Sequence, residues 1–133
     1  MQLQEIMSTR VASACPEDSL EAAQERMRRT GIHHLVVVDR HKVVGVLTDA
    51  EATRRLNEGA STVETAMFMH VLTGTPEMTV ADAAAMLRGR PEGALPVLEG
   101  RRLVGIVTLS DLLDLLVAQE ATVSRPAHGL RRR

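Results

Sequence analysis

Aromatic side chains are nearly missing from this chain: Phe68 is the only one, and there is no Trp or Tyr. Any core must be built from Val, Leu, Ile, Met and Ala. The stacking platforms on which single-stranded nucleic acid binding usually relies are absent too. One cysteine, Cys15, leaves no internal disulfide and fits a reducing compartment. No apolar run approaches the roughly 18–20 residues that span a bilayer. The opening Met1-Gln2-Leu3-Gln4-Glu5 does not read as a signal peptide. A formal net charge of −1 provides no field to draw the chain to nucleic acid or membrane. The expectation is a soluble, cytoplasmic protein. No nucleophile–base or acid–base pair stands out, so it is not expected to be an enzyme.

What is present is one unit written twice. Over 133 residues, a shift of sixty positions lays Met7 on Met67, Val11 on Val71, and Pro16-Glu17 on Pro76-Glu77. The same shift lays Ala23 on Ala83, Leu35 on Leu95, Val44-Gly45 on Val104-Gly105, and Thr48 on Thr108. Chance overlap of helical patterns does not keep Pro, Gly and Thr in register as well.

Each copy reads as β-α-β-β-α, giving an α+β fold. A short helical turn (4–7, 63–67) leads to a brief strand (11–14, 71–73). Ser19 and Thr79 are placed to cap helices in which Leu20, Ala23 and Met27, or Val80, Ala83 and Leu87, fall on one face. Apolar runs at 35–38 with 43–47, and 95–98 with 103–107, read as hairpins. A closing helix opens near Thr48 or Thr108, the last extending to about residue 123. The copies span 1–58 and 63–123, joined by a linker at 59–62, with a basic tail at 124–133 that reads as disordered. A single copy is too small to bury a sufficient core. The two are therefore expected to share one, with pseudo-twofold symmetry and two equivalent clefts.

Met-x-x-x-Val, Pro-Glu-x-Ser/Thr-Leu/Val, the apolar hairpin and Gly-Val/Ile-Leu/Val-Thr-x-x-Glu/Asp together resemble a CBS domain. The resemblance spans residues 4–118 and implies a pair that binds AMP, ADP, ATP or S-adenosylmethionine between its repeats. It further implies a homodimer that regulates an enzyme or transporter, with no cofactor required. The family's Gly-h-h-Thr-x-x-Asp pattern is complete at Gly105, Ile106, Val107, Thr108 and Asp111. By resemblance Asp111 would hold the ribose hydroxyls and Thr108 the phosphates. Adenine would lie against Leu72-Thr73 and Gly93-Ala94-Leu95-Pro96. Thr48 and Glu51 are the first-copy counterparts, with Glu where Asp is usual. His33 and His34 precede the first hairpin, where a ligand phosphate would be touched.

Simpler readings stand beside these. Thr48-x-x-Glu51 and Thr108-x-x-Asp111 have the form of capping boxes. The adjacent His33 and His34 would face opposite sides of a strand, and His41, His70 and His128 lack metal-site spacing, so no metal is expected. Leu112, Leu113, Leu115, Leu116 and Val117 are too apolar for a solvated helix. They leave open a ligand-free interaction protein acting through that surface.

Overall fold

The computed structural model describes residues 1–128, with side chains described to residue 120. The first repeat contributes β1 (Ser13–Ala14), α1 (Leu20–Thr30), β2 (His34–Asp39), β3 (Lys42–Thr48) and α2 (Asp49–Asn57). The second contributes β4 (Phe68–Met69), α3 (Val80–Leu87), β5 (Ala94–Glu99), β6 (Arg102–Thr108) and α4 (Leu109–His128). A single 3-10 turn precedes each set, at Leu3–Glu5 and Val63–Thr65. α4 thus runs past residue 123 into the segment expected to be disordered, and 129–133 lie outside the described residues.

The helix starts follow the capping chemistry of the sequence. Ser19 Oγ accepts from the Ala22 amide and Thr79 Oγ1 from the Asp82 amide, both at 3.1 Å. These bonds satisfy donors that a first turn leaves open. α1 stops at Gly31, whose φ of 74° lets both its own amide and that of Ile32 bond the Met27 carbonyl. Leu20, Ala23 and Met27 on α1, and Ala83 and Leu87 on α3, form the buried faces.

The hairpins pair in identical register, His34–Thr48 matching Ala94–Thr108, with one irregularity at the same place in each. Around them the repeats exchange their N-terminal segments. β4, carried by the second repeat, pairs with β3 of the first through Gly45–Met69 and Val46–Phe68. Reciprocally, Ser8 of the first repeat bridges Ile106 on β6. The 3-10 turns follow the same exchange: Leu3 donates to Met78 O at 2.8 Å, and Val63 donates to Asp18 O at 3.0 Å. The first sheet has the order β1-β2-β3-β4. The second repeats it in reduced form, with Gly74–Val97 and Ser8–Ile106 bridges flanking β5 and β6.

The motif glycines make the exchange possible. A Cβ on Gly45 would lie 2.6 Å from the Phe68 carbonyl oxygen, and one on Gly105 would lie 2.5 Å from Met7 Sδ. A strand glycine that allows another backbone to approach this closely has a packing role.

Three clusters form the core. Leu35, Val37 and Leu47 face α1 and α2 and take in Val63 from the exchanged turn. Leu95, Val97 and Val107 pack with Ala83 and Leu87 and take in Leu3. Val36, Val46, Ala94 and Ile106, one residue along in each strand and therefore on the other face, join the two sheets.

Candidate functional site

Alternation along β6 points Val107 to the helices and Ile106 to the other sheet, and the chain then turns into α4 at Thr108. There Asp111 Oδ2 accepts from the Thr108 amide at 2.8 Å and from its hydroxyl at 3.3 Å, while Thr108 Oγ1 accepts from the Asp111 amide at 3.4 Å. The capping box is complete, yet it engages only one carboxylate oxygen with the described residues. Beside it opens a cavity of about 230 Å³, with Ala12, Ile32 and Ile106 among its walls and Ser8, Arg10, His33 and His34 around it.

Thr108, Asp111, Ile106 and His34 are therefore brought together as the sequence indicated. Thr73 and Gly93–Pro96 do not line this cavity, although Ala94 pairs with Thr108 and Pro96 with Ile106 across the hairpin. The exchange of N-terminal segments puts residues 8–12, rather than 72–73, against Ile106 and Asp111. Gly93 instead lines a trough with Thr48 and His34. Ala94 is buried between the sheets, Leu95 is fully buried against the helices, and Pro96 sits inside β5 opposite Ile106. Thr73, half-buried, precedes Gly74, whose amide bonds Pro96 O at 2.9 Å. Ser8, Arg10, Ala12, Ile32 and Ser110 were not anticipated at the cleft. No local motif marks them, because which segment faces which motif depends on the strand exchange.

The trough has a volume of about 600 Å³ and lies where α2 and α4 begin, reaching from Thr48, Asp49 and Thr53 across to Pro91, Glu92 and Gly93. It shares His33, His34 and Ser110 with the smaller cavity, so the two adjoin. Helix N-termini on both sides present the positive end of the helix dipole, an arrangement suited to anionic groups, although the Asp49, Glu51, Leu109 and Asp111 amides are already bonded within the protein.

His34 ties the repeats together. Its Nε2 donates to the Glu92 carbonyl at 3.0 Å. Burial lowers its pKa below the usual 6.5; the Glu92 carbonyl works against this, His33 adds to it and Asp111 opposes it. His33, more exposed, has Nδ1 3.7 Å from Asp49 Oδ2.

In the first repeat Thr48 Oγ1 accepts from the Glu51 amide at 3.1 Å, so this half of the capping box forms. The Glu51 carboxylate turns instead to Arg54, and to Arg55 Nε at 3.2 Å. The hydrogen bond from Arg54 is the largest influence holding the Glu51 pKa below its ordinary value.

The CBS domain model matches residues 3–58 and 63–118. The chain is 28% identical over 126 residues to the CBS domain-containing protein YhcV of Bacillus subtilis, covering 92% of this chain and 90% of that protein. It is 30% identical over 115 residues to L-aspartate semialdehyde sulfurtransferase of Methanocaldococcus jannaschii, covering 85% of this chain and 23% of the enzyme. Among solved structures, it resembles the CBS domain pair of protein MJ0100 in complex with 5′-methylthioadenosine and S-adenosyl-L-methionine. The TM-score is 0.82 at 28% identity, over 90% of this chain and 98% of that one. Among the described residues, no helix is long and apolar enough to cross a membrane.

Proposed function

The chain belongs to the CBS domain family, and we propose that it is a regulatory module binding an adenosine-type ligand in the cleft of Thr108 and Asp111. The observation that carries this is the half-engaged carboxylate. Asp111 Oδ2 holds the start of α4, while Oδ1 is left to accept from ribose hydroxyls at the edge of an apolar cavity. Ala12, Ile32 and Ile106 would take the base. The polar remainder of AMP, ADP, ATP or S-adenosylmethionine would extend past His33, His34 and Ser110 into the trough. The ligands held by the MJ0100 pair, at 28% identity, favour this class. Occupancy would be signalled to an enzyme or transporter as partner.

A second reading rests on α4, where Leu113, Leu116 and Val117 are about 60% exposed or more on a helix three and four residues apart. Such a stripe suits a homodimer or another docked protein. It is compatible with ligand binding, or could be the whole function.

The deciding experiment is thermal melting of the protein and its Asp111→Ala variant with AMP, ADP, ATP, S-adenosylmethionine and GTP. A ligand at about 100 times its dissociation constant adds roughly 2.7 kcal/mol, a shift of several degrees. The expected result is a shift with an adenosine compound but not GTP, abolished in Asp111→Ala. No shift with any of them leaves the interaction-protein reading.

A further inference from the structure

Under the sixty-position offset the Asp111 cavity and its counterpart share only Thr108 and Thr48 among their lining residues, and four differences at or near them bear on charge and access. Where the Asp111 cleft has Arg10, Thr30, Ile32 and Asp114, the Glu51 cleft has His70, Arg90, Glu92 and Arg54. In the first, Ile32 lines the cavity, and the Thr30 hydroxyl donates inside its own helix to Arg26 O at 2.7 Å. In the second, a charged network crosses the same space. Arg90 Nη2 donates to the His70 carbonyl at 2.9 Å, while Nε and Nη2 lie 3.1 and 3.0 Å from Glu92 Oε2. One guanidinium therefore ties the segment after β4 to the segment before β5.

Glu92 is only 3% exposed, the one charged side chain among the buried residues described. Its position corresponds to that of Ile32, where an adenine ring would need an apolar wall. A ligand entering there would have to separate Arg90 from a buried carboxylate, and breaking a buried pair on one side leaves an uncompensated charge. The ribose acceptor is also engaged: the Glu51 carboxylate is drawn along α2 by Arg54 and Arg55. Asp111 has Asp114 and Leu115 at those places, so its own helix offers it no such guanidinium.

We propose that the Glu51 cleft is sealed by the Arg90–Glu92 pair stapled to His70, so that each chain takes one adenosine-type ligand, in the Asp111 cleft alone. Arg90 and Glu92 are then the residues that decide which cleft is open. This rests on the function proposed above, and its test is arranged to fail separately.

Isothermal titration with AMP and with S-adenosylmethionine compares the wild type with an Arg90→Thr/Glu92→Ile/Glu51→Asp variant, which removes the pair and gives these three positions the residues found at the Asp111 cleft. Removing both members of the pair avoids leaving a buried charge, and retained binding at the Asp111 cleft reports that the variant is folded. The wild type should bind one ligand per chain and the variant two, with Asp111→Ala added to the variant leaving one. Two ligands per wild-type chain, or one in a folded variant, would overturn the seal. If the wild type binds neither compound, the function proposed above fails, and the variant still decides: one ligand that depends on residue 51 upholds the seal, and none refutes it.

Discussion

Truncation of Leu3 tests whether the repeats exchange their N-terminal segments in solution. Leu3 stands sixty positions before Val63, at the start of the first repeat, yet it is fully buried among Leu87, Leu95 and Val107 of the second. Its Cδ1 and Leu95 Cδ2 crowd the same point beside Gly74, 3.1 and 3.0 Å from where a Cβ would stand. Leu3→Ala removes a fully buried side chain and leaves a cavity, a loss of about 2–5 kcal/mol. Taking about 3 kcal/mol, a domain of this size should melt roughly 10 °C lower. Urea unfolding of a double-mutant cycle then locates the contact. Leu3→Ala with Leu95→Val should deviate from additivity by about 0.5 kcal/mol or more, whereas Leu3→Ala with Leu35→Val should add within about that amount. Coupling to Leu35 instead of Leu95, or a Leu3→Ala loss under about 1 kcal/mol, would refute the exchanged arrangement.

The same exchange predicts that Gly45→Ala is costly, because the new methyl meets the Phe68 carbonyl, a backbone atom, at 2.6 Å. A loss of about 1–3 kcal/mol is expected in urea, and an effect within about 0.5 kcal/mol would show that β4 does not lie there. His34 predicts a pH dependence. Its folded pKa is below 6.5, so the unfolded chain binds the proton more readily. Its stabilising contribution is complete above that value and falls as pH drops below it towards the folded pKa. The melting temperature should therefore decline as pH falls below 6.5, and His34→Gln should lessen that decline. An unchanged slope in the variant would show that His34 is not buried against Glu92.

The repeat, its β-α-β-β-α order and the helix caps were legible because each depends on residues near one another in sequence. Ser19 lies three residues from the amide it caps, and the hairpin register follows from alternation with a short turn. The exchanged strands were not legible. Phe68–Met69 is a two-residue strand in a segment with no alternation to mark it, and it pairs with Gly45–Val46, more than twenty residues earlier. The 71–73 stretch, which looks more strand-like, makes only the Gly74–Val97 bridge just beyond it. That one topological fact also explains why Asp111 was matched with Thr73 and Gly93–Pro96 when it faces Arg10, Ala12 and Ile32. The motif residues could be read from sequence, but the opposite wall of their cleft could not.

The exchange also gives the two clefts a physical connection. Each combines the helix start of one repeat with the N-terminal segment of the other, so a ligand beside Asp111 touches both halves at once. On one side it meets the first turn of α4; on the other it meets residues 8–12, anchored to β6 by reciprocal Ser8 and Ile106 backbone bonds of 3.0 Å. His34, on the wall of this cleft, donates to the backbone carbonyl of Glu92, whose side chain pairs with Arg90. One hydrogen bond therefore separates the Asp111 cleft from the Arg90–Glu92 pair. Were a ligand to move His34, it would change the support under the Arg90–Glu92 pair, and linkage would then require a change at that pair to alter the ligand's affinity by the same factor.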